Sequence, residues 1–251
     1  MNTELKNIFE NISSNDLSDL LMKLNRMQLN SKKHIKKYNK LRRLHGEILD
    51  SMIDYIRSGK YVLEDNFKII CNDINKETPQ LNFYLDLDDE DDSTILTELF
   101  VYKNYPKLKS ITEIYLEKNK FRNADKIKML NCMNNSYVGL FKIIGIDRND
   151  GYVTYEDVFT KKKFKVIDIA LSSTLRINKN KMIYVYNRII TFDDISFGTG
   201  IHCMMTSDHK LLKKFIKNHK YKKTSDFERC LLLYDISKKD NELVVNYNNK
   251  Y

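Results

Sequence analysis

The spacing of apolar residues changes character at Ser136. Before it they recur every three or four positions, the period of helices with one buried face. Over residues 136–206 they crowd instead into short runs separated by turn residues, the pattern of strands. In the first region, Leu17, Leu20, Leu21, Leu24 and Met27 follow Ser13 at helical spacing, with Asp16 completing an imperfect capping box. A longer helix is expected over residues 31–58, where Ile35, Tyr38, Leu41, Leu44, Ile48, Leu49, Met52, Ile53 and Ile56 form a stripe that Gly59 ends. Together these two predict a helical hairpin. Several shorter helices follow over residues 61–135, with starts at Thr78–Pro79, Ser93 and Asn123.

In the second region Tyr137, Val138, Leu140, Phe141, Ile143, Ile144 and Ile146 read as a central strand, closed by a turn ending in Asp150–Gly151. Strands at 152–158, 163–168, 182–190 and 195–205 complete a set of five, with no helix expected between them. Closure or strong coiling is the way such a set buries its apolar residues while hiding its edges. After it, Leu211, Leu212, Phe215 and Ile216 oppose Lys210, Lys213, Lys214, Lys217 and Lys220 on an amphipathic helix whose start is expected at Ser207. Residues 225–234 read as a short helix or strand, and Leu243, Val244 and Val245 as a tail able to strand-pair.

Charge adds a second layer. The net charge is +9. By segment it is +5 over residues 1–60, −4 over 61–135, +3 over 136–206 and +5 over 207–251. Basic ends therefore flank an acidic middle. Lysine far outnumbers arginine and Asn and Ile are abundant, as in a chain drifting in an AT-rich genome, so part of the basicity is background. On the 31–58 helix Lys32, Lys33, Lys36, Lys40 and Arg43 gather opposite the apolar stripe. Lys32 and Lys33 fall in its first turn, against the positive end of the macrodipole, where free N–H groups and ammonium groups suit a phosphate. On the β module, Tyr152, Tyr155, Phe159, Lys161, Lys162, Lys163, Tyr184, Tyr186 and Arg188 are the candidates for contact with an oligonucleotide, and alternation turns about half of them inward. The acidic run 86–92 lacks the spaced ligands and turn glycine of a calcium loop.

Most catalytic signatures are missing. The chain has neither GxGxxG nor GxxxxGK[ST], and neither HExxH nor GxSxG. Scattered carboxylates such as Glu156 or Asp157 with Lys161 leave an enzyme open. His34 and His45 lie roughly 16 Å apart along one helix, too far to share a metal. His202, Cys203 and His209 lack a fourth ligand. Cys71, Cys132, Cys203 and Cys230 stand far apart and read as packed thiols in a reduced compartment.

The run from residue 126 to 190 resembles a module found in uncharacterised bacterial proteins, many of which carry a SEC-C zinc motif. The matching features are Ser136 and Tyr137, Gly151, Asp157 with Thr160, and Arg188. The resemblance covers residues 60–205. This chain lacks the cysteine-rich motif, and Lys161 stands where that turn often has glycine. The resemblance implies a helical-plus-β architecture and transfers no activity.

The expectation is an α+β protein: an N-terminal helical region, a small antiparallel coiled β-sheet or barrel, and a C-terminal helix. Its parts are a basic helical hairpin (1–60), a helical layer with an acidic loop (61–135), an antiparallel β module (136–206), and a basic amphipathic helix and tail (207–251). No apolar run is long enough for a membrane span, which predicts a cytoplasmic protein with no membrane partner. No cofactor and no metal are expected. Two functions are expected from the pattern. One is non-enzymatic association with DNA or RNA, with phosphate held by Lys32, Lys33, Lys36, Lys37, Lys40, Arg42 and Arg43, helped by Lys213, Lys214 and Lys217. The other is a protein-interaction or adaptor module that dimerises or docks through its N-terminal hairpin.

Overall fold

The computed structural model describes residues 28–55, 58, 98, 100–102, 109–175, 182–218 and 226–239. The helix expected at Leu17 to Leu24, and with it the hairpin, lies outside them. So do the starts at Thr78 and Ser93, the acidic run 86–92, Cys71 and the tail at Leu243 to Val245.

Helix α1, Lys33–Tyr55, buries Ile35, Tyr38, Leu41, Ile48 and Met52, with His45 on the same stripe. Ile53, expected on that stripe, is exposed. A turn of helix over residues 28–31 precedes α1. Helix α2, Ile111–Lys118, opens with a capping box in which Ser110 and Glu113 satisfy each other's backbone N–H groups. Helix α3, Ala124–Asn134, starts at the expected Asn123, whose side chain accepts the N–H groups of Asp125 and Lys126.

Five strands follow: β1 Tyr137–Asp147, β2 Tyr152–Asp157, β3 Lys163–Ile167, β4 Ile183–Phe192 and β5 Ile195–Thr206. They close into a barrel in the order β1-β2-β3-β5-β4, with β4 paired back to β1. A register shift between Ile143 and Gly145 bends β1, so that Phe141 and Lys142 pair with β2 on one side and β4 on the other. The α+β expectation holds, with two differences in detail. Helix α4, Ile169–Thr174, stands between β3 and β4. Six residues carry too little periodicity to read from spacing, and the cue was Asp168, whose carboxylate accepts the Leu171 N–H at 2.8 Å. One junction is parallel, at Ile167 and Phe197 of β3 and β5, because the α4 connection carries the chain across before β4 and β5 turn back.

The apolar residues form two cores. Phe141, Ile143, Val153, Tyr155, Val166, Leu171, Val185 and Ile189 fill the barrel. The opposite faces of the first half of β1 and of β4 and β5, among them Leu140, Tyr186, Ile190, Phe197, Cys203 and Met205, pack against the helices. Helix α5, Lys210–Lys217, buries Leu212 and Phe215. His209 caps it, with ring Nδ1 accepting the Leu212 N–H at 3.1 Å, while the expected cap Ser207 instead accepts the Met182 N–H. Helix α6, Asp226–Lys239, is longer than the expected 225–234 segment and buries Cys230, Leu231, Leu233 and Tyr234. Cys132, Cys203 and Cys230 are free thiols. No described helix is long and apolar enough to cross a membrane.

Candidate nucleic-acid interface

Helix α1 lies across the barrel between two turns of the sheet, and its lysines bind the aspartates at their tips. Lys32 donates to Asp150 at 2.5 Å and to the Asn149 carbonyl at 2.6 Å, both in the β1–β2 turn. Lys37 pairs with Asp194 in the β4–β5 turn. Lys128 of α3 pairs with Asp193 beside it. Hydrogen bonds from Lys32 and Lys37 hold the Asp150 and Asp194 carboxyls below the ordinary carboxylate value. Between these pairs, Arg42 donates to the Gly198 carbonyl at 2.7 Å and lies over the Phe197 ring. Gly151 has a φ of +71°, a backbone conformation that side chains rarely adopt.

Two further polar groups of the helix side are sealed. His45, 3% exposed, bonds the Tyr102 hydroxyl at 2.7 Å. Burial, helped by the positive charge of Arg42, lowers its pKa to about 3, so the ring is neutral. Arg188, 2% exposed, pairs with buried Glu98, donates to Ser136 Oγ at 2.8 Å and lies over the Tyr102 ring. Burial opposes its charge, but the Glu98 carboxylate more than offsets this and the guanidinium pKa is raised.

The β2–β3 turn hangs on Asp157. Its Oδ1 accepts the N–H groups of Phe159 and Thr160 at 2.8 and 2.6 Å, and its Oδ2 accepts the Tyr137 hydroxyl at 3.1 Å. Lys161 sits at φ +63° in that turn, in the left-handed region where glycine is the usual occupant. Asp157 is 2% exposed and saturated by these bonds, which gives it a turn-building role.

One side of the barrel is left uncovered by the described helices. Along β1 the outward positions pass from buried Val138 and Leu140 to Lys142 and exposed Ile144. Thr154 and Glu156 of β2 and Lys163 and Lys165 of β3 continue this surface, paired across the strands as Lys142 with Glu156, Thr154 with Lys165, and Glu156 with Lys163. Tyr152 closes one end. His34 stacks on it at 5.3 Å between centroids, and the Lys165 ammonium lies 4.1 Å from its centroid. Helix α5 flanks the other end, where Phe215 packs edge-on against Phe159 of the β2–β3 turn.

The basic residues read from sequence therefore divide. Lys32, Lys37 and Arg42 are turned onto the barrel and bonded there. At the first turn, where a phosphate site is expected at Lys32 and Lys33, the chain is already helical over residues 28–31, the Lys32 ammonium bonds Asp150 and Lys33 is exposed. Lys40 lies 3.7 Å from Asp125. Lys33, Lys36 and Arg43 are exposed and have no ionic partner among the described residues. Lys213, Lys214 and Lys217 are exposed on α5, which packs at the opposite end of β2 from the start of α1, so the two basic helices do not merge. Of the β candidates, Tyr155, Tyr186 and Arg188 are buried and Phe159 is packed, while Tyr152, Lys161, Lys162, Lys163 and the half-buried Tyr184 remain toward solvent. Lys142 and Lys165 were missed. The strand parity that puts Lys142 opposite Phe141, and Lys165 opposite Val166, was the signal that could have found them. Cys203 and His209 are buried in separate packing roles, and no group of three metal-ligating side chains occurs among the described residues.

The five strands thus close in the order β1-β2-β3-β5-β4, with a short helix after β3 and a parallel β3–β5 junction, and helices wrap one side of the barrel. Over residues 32–247 the chain matches a family of unknown function, DUF7986, and belongs to it. No curated protein and no solved structure matches it significantly.

Proposed function

We propose that the protein binds single-stranded nucleic acid on the uncovered face of its barrel, with no catalytic step. The observation that carries this reading is the contrast around the barrel. Helices cover the outer faces of β4 and β5, while the side bearing Lys142, Thr154, Lys163 and Lys165, with Tyr152 at its edge, is left open by the described residues. Lysines at that spacing suit the phosphate oxygens of a strand laid across the sheet. Small barrels of the oligonucleotide/oligosaccharide-binding (OB) type bind oligonucleotides on an open face of the sheet, which supports the reading by analogy. The exposed cations Lys33, Lys36 and Arg43 of α1 and Lys213, Lys214 and Lys217 of α5 supply long-range attraction. Docking through the N-terminal hairpin is the alternative, and its apolar residues Leu17, Leu20 and Leu24 lie outside the described residues.

A fluorescence-anisotropy titration against generic single- and double-stranded DNA and RNA at increasing salt tests the proposal. Binding should favour single strands and weaken linearly on a log–log salt plot, with a slope of roughly −0.7 for each phosphate neutralised. Replacing Lys142, Lys163 and Lys165 by Gln should weaken it about tenfold or more and flatten that slope by about 2. Undetectable binding at low salt refutes the proposal.

A further inference from the structure

We infer that the anion-binding centre of the uncovered face lies at its β2–β3-turn end, where α5 packs, and not at the end formed by the β1–β2 and β4–β5 turns. The inference rests on the nucleic-acid reading and assigns a polarity to that site. The two ends of β2 differ in charge. At the β1–β2 end stand Asp147, Asp150, Asp193 and Asp194, and the cations there are engaged: Lys32 on Asp150, Lys37 on Asp194, Lys128 on Asp193, Arg148 on the Leu175 carbonyl and Lys165 over the Tyr152 ring. The charges of Asp150, Asp194 and Asp147 together help to raise the pKa of Tyr152 there, after burial. A phosphodiester strand brought to this end meets carboxylates, and helix α1 already bridges the two turns.

At the other end, about 17 Å away along the six residues of β2, the balance reverses. Lys161, Lys162 and Lys163 succeed one another in and after the turn, all exposed. Lys213, Lys214 and Lys217 project from α5, which the Phe159–Phe215 contact fixes beside that turn. Asp157 is buried and saturated within the turn, Glu156 lies 4.0 Å from Lys163, and Asp208 precedes the N-terminal end of α5. Lys213, Lys214 and Lys217 have no ionic partner among the described residues. A lysine held at φ +63° is a backbone cost that side-chain packing does not recover, because Lys161 is exposed. The ligand class that fits is a chain of spaced phosphodiesters reaching from the turn onto β3, and a single-stranded nucleic acid has that form.

Two variants with equal loss of charge separate the ends. One carries Lys213→Gln, Lys214→Gln and Lys217→Gln, and the other Lys33→Gln, Lys36→Gln and Arg43→Gln on α1. All six positions are exposed, so both variants should melt close to the parent protein. The probe is an oligothymidylate of about sixteen nucleotides, the upper end of the range one such barrel occupies. The α5 variant should lose tenfold or more in affinity and about 2 from the log–log salt slope, and the α1 variant less than threefold. Equal losses, or a larger loss in the α1 variant, overturn the assignment of polarity while leaving nucleic-acid binding intact. A parent protein that binds no probe at low salt overturns both.

Discussion

The two sides of the barrel use charge in opposite ways. On the helix side Arg188, Glu98 and His45 are withdrawn from water and bonded to one another's neighbours, and the lysines at the rim are spent on aspartates of the sheet turns. On the open side Lys142, Lys163 and Lys165 stand on strands beside Glu156, with Asp150 near Lys165. A buried charge contributes through what its removal leaves behind, whereas an exposed one contributes almost nothing to folding and is available to a ligand. Substitutions on the two sides should therefore fail in different assays, stability on one and binding on the other.

The largest effect is expected at Arg188. Arg188→Met removes the guanidinium that pairs with the buried Glu98 carboxylate and donates to Ser136, a class of change that costs about 3–5 kcal/mol. Urea unfolding monitored by circular dichroism measures it. The double variant Arg188→Met with Glu98→Leu should recover most of the loss, because both members of the buried pair are then apolar. If Arg188→Met unfolds at the parental urea concentration, the two sides do not differ as described.

Arg188 also shows how far sequence reading reached. Strand parity placed it on one surface of β4 together with Tyr186 and Tyr184, but parity does not say which surface another layer covers. Its partner Glu98 stands 90 residues away, a separation no local pattern spans. Helices whose stripes run for several turns, α1 and α5 among them, were legible from spacing, as were the five strands with their turns. The short α4, the parallel closure and the commitment of Lys32 and Lys37 to the sheet turns were not, since each depends on how distant segments meet. For the site, residue type drew attention to the basic helices, whereas the uncovered face emerges only when the barrel is closed and its other sides are occupied.

A second, smaller effect sharpens the contrast through pH. The His45 ring is neutral in the fold, with its pKa lowered to about 3, while an unfolded histidine titrates at its ordinary 6.5. Between those values the unfolded state binds one more proton, so this residue's contribution is complete above pH 6.5 and is lost as pH falls toward 3. The slope is about 1.4 kcal/mol per pH unit. His45→Gln keeps a hydrogen-bonding group for Tyr102 and removes the titration. The difference in urea midpoint between parent and variant should therefore shift steadily in favour of the variant below pH 6.5 and stay constant above it. A difference independent of pH would mean that the ring is accessible to protons in the folded state.

The smallest effect belongs to the rim, where Lys32 and Lys37 meet Asp150 and Asp194 at exposed positions. Removing both lysines, as Lys32→Ala with Lys37→Ala, should lower the melting temperature only slightly. The loss should shrink toward zero in about 1 M salt, where screening acts within roughly 3 Å. Both aspartates have pKa values lowered by these lysines, so the pairs contribute above the ordinary carboxylate pKa and cease to as pH falls through the lowered values. The difference between parent and variant should accordingly vanish in acid as well as in salt. Oligonucleotide affinity separates the two sides here, because lysines already bonded to aspartate have little to offer a phosphate. The rim variant should bind within about threefold of the parent, compared with the tenfold or greater loss expected for Lys142, Lys163 and Lys165. Comparable losses in the two variants would mean that the rim lysines leave their aspartates to meet the ligand, and that α1 is part of the binding surface.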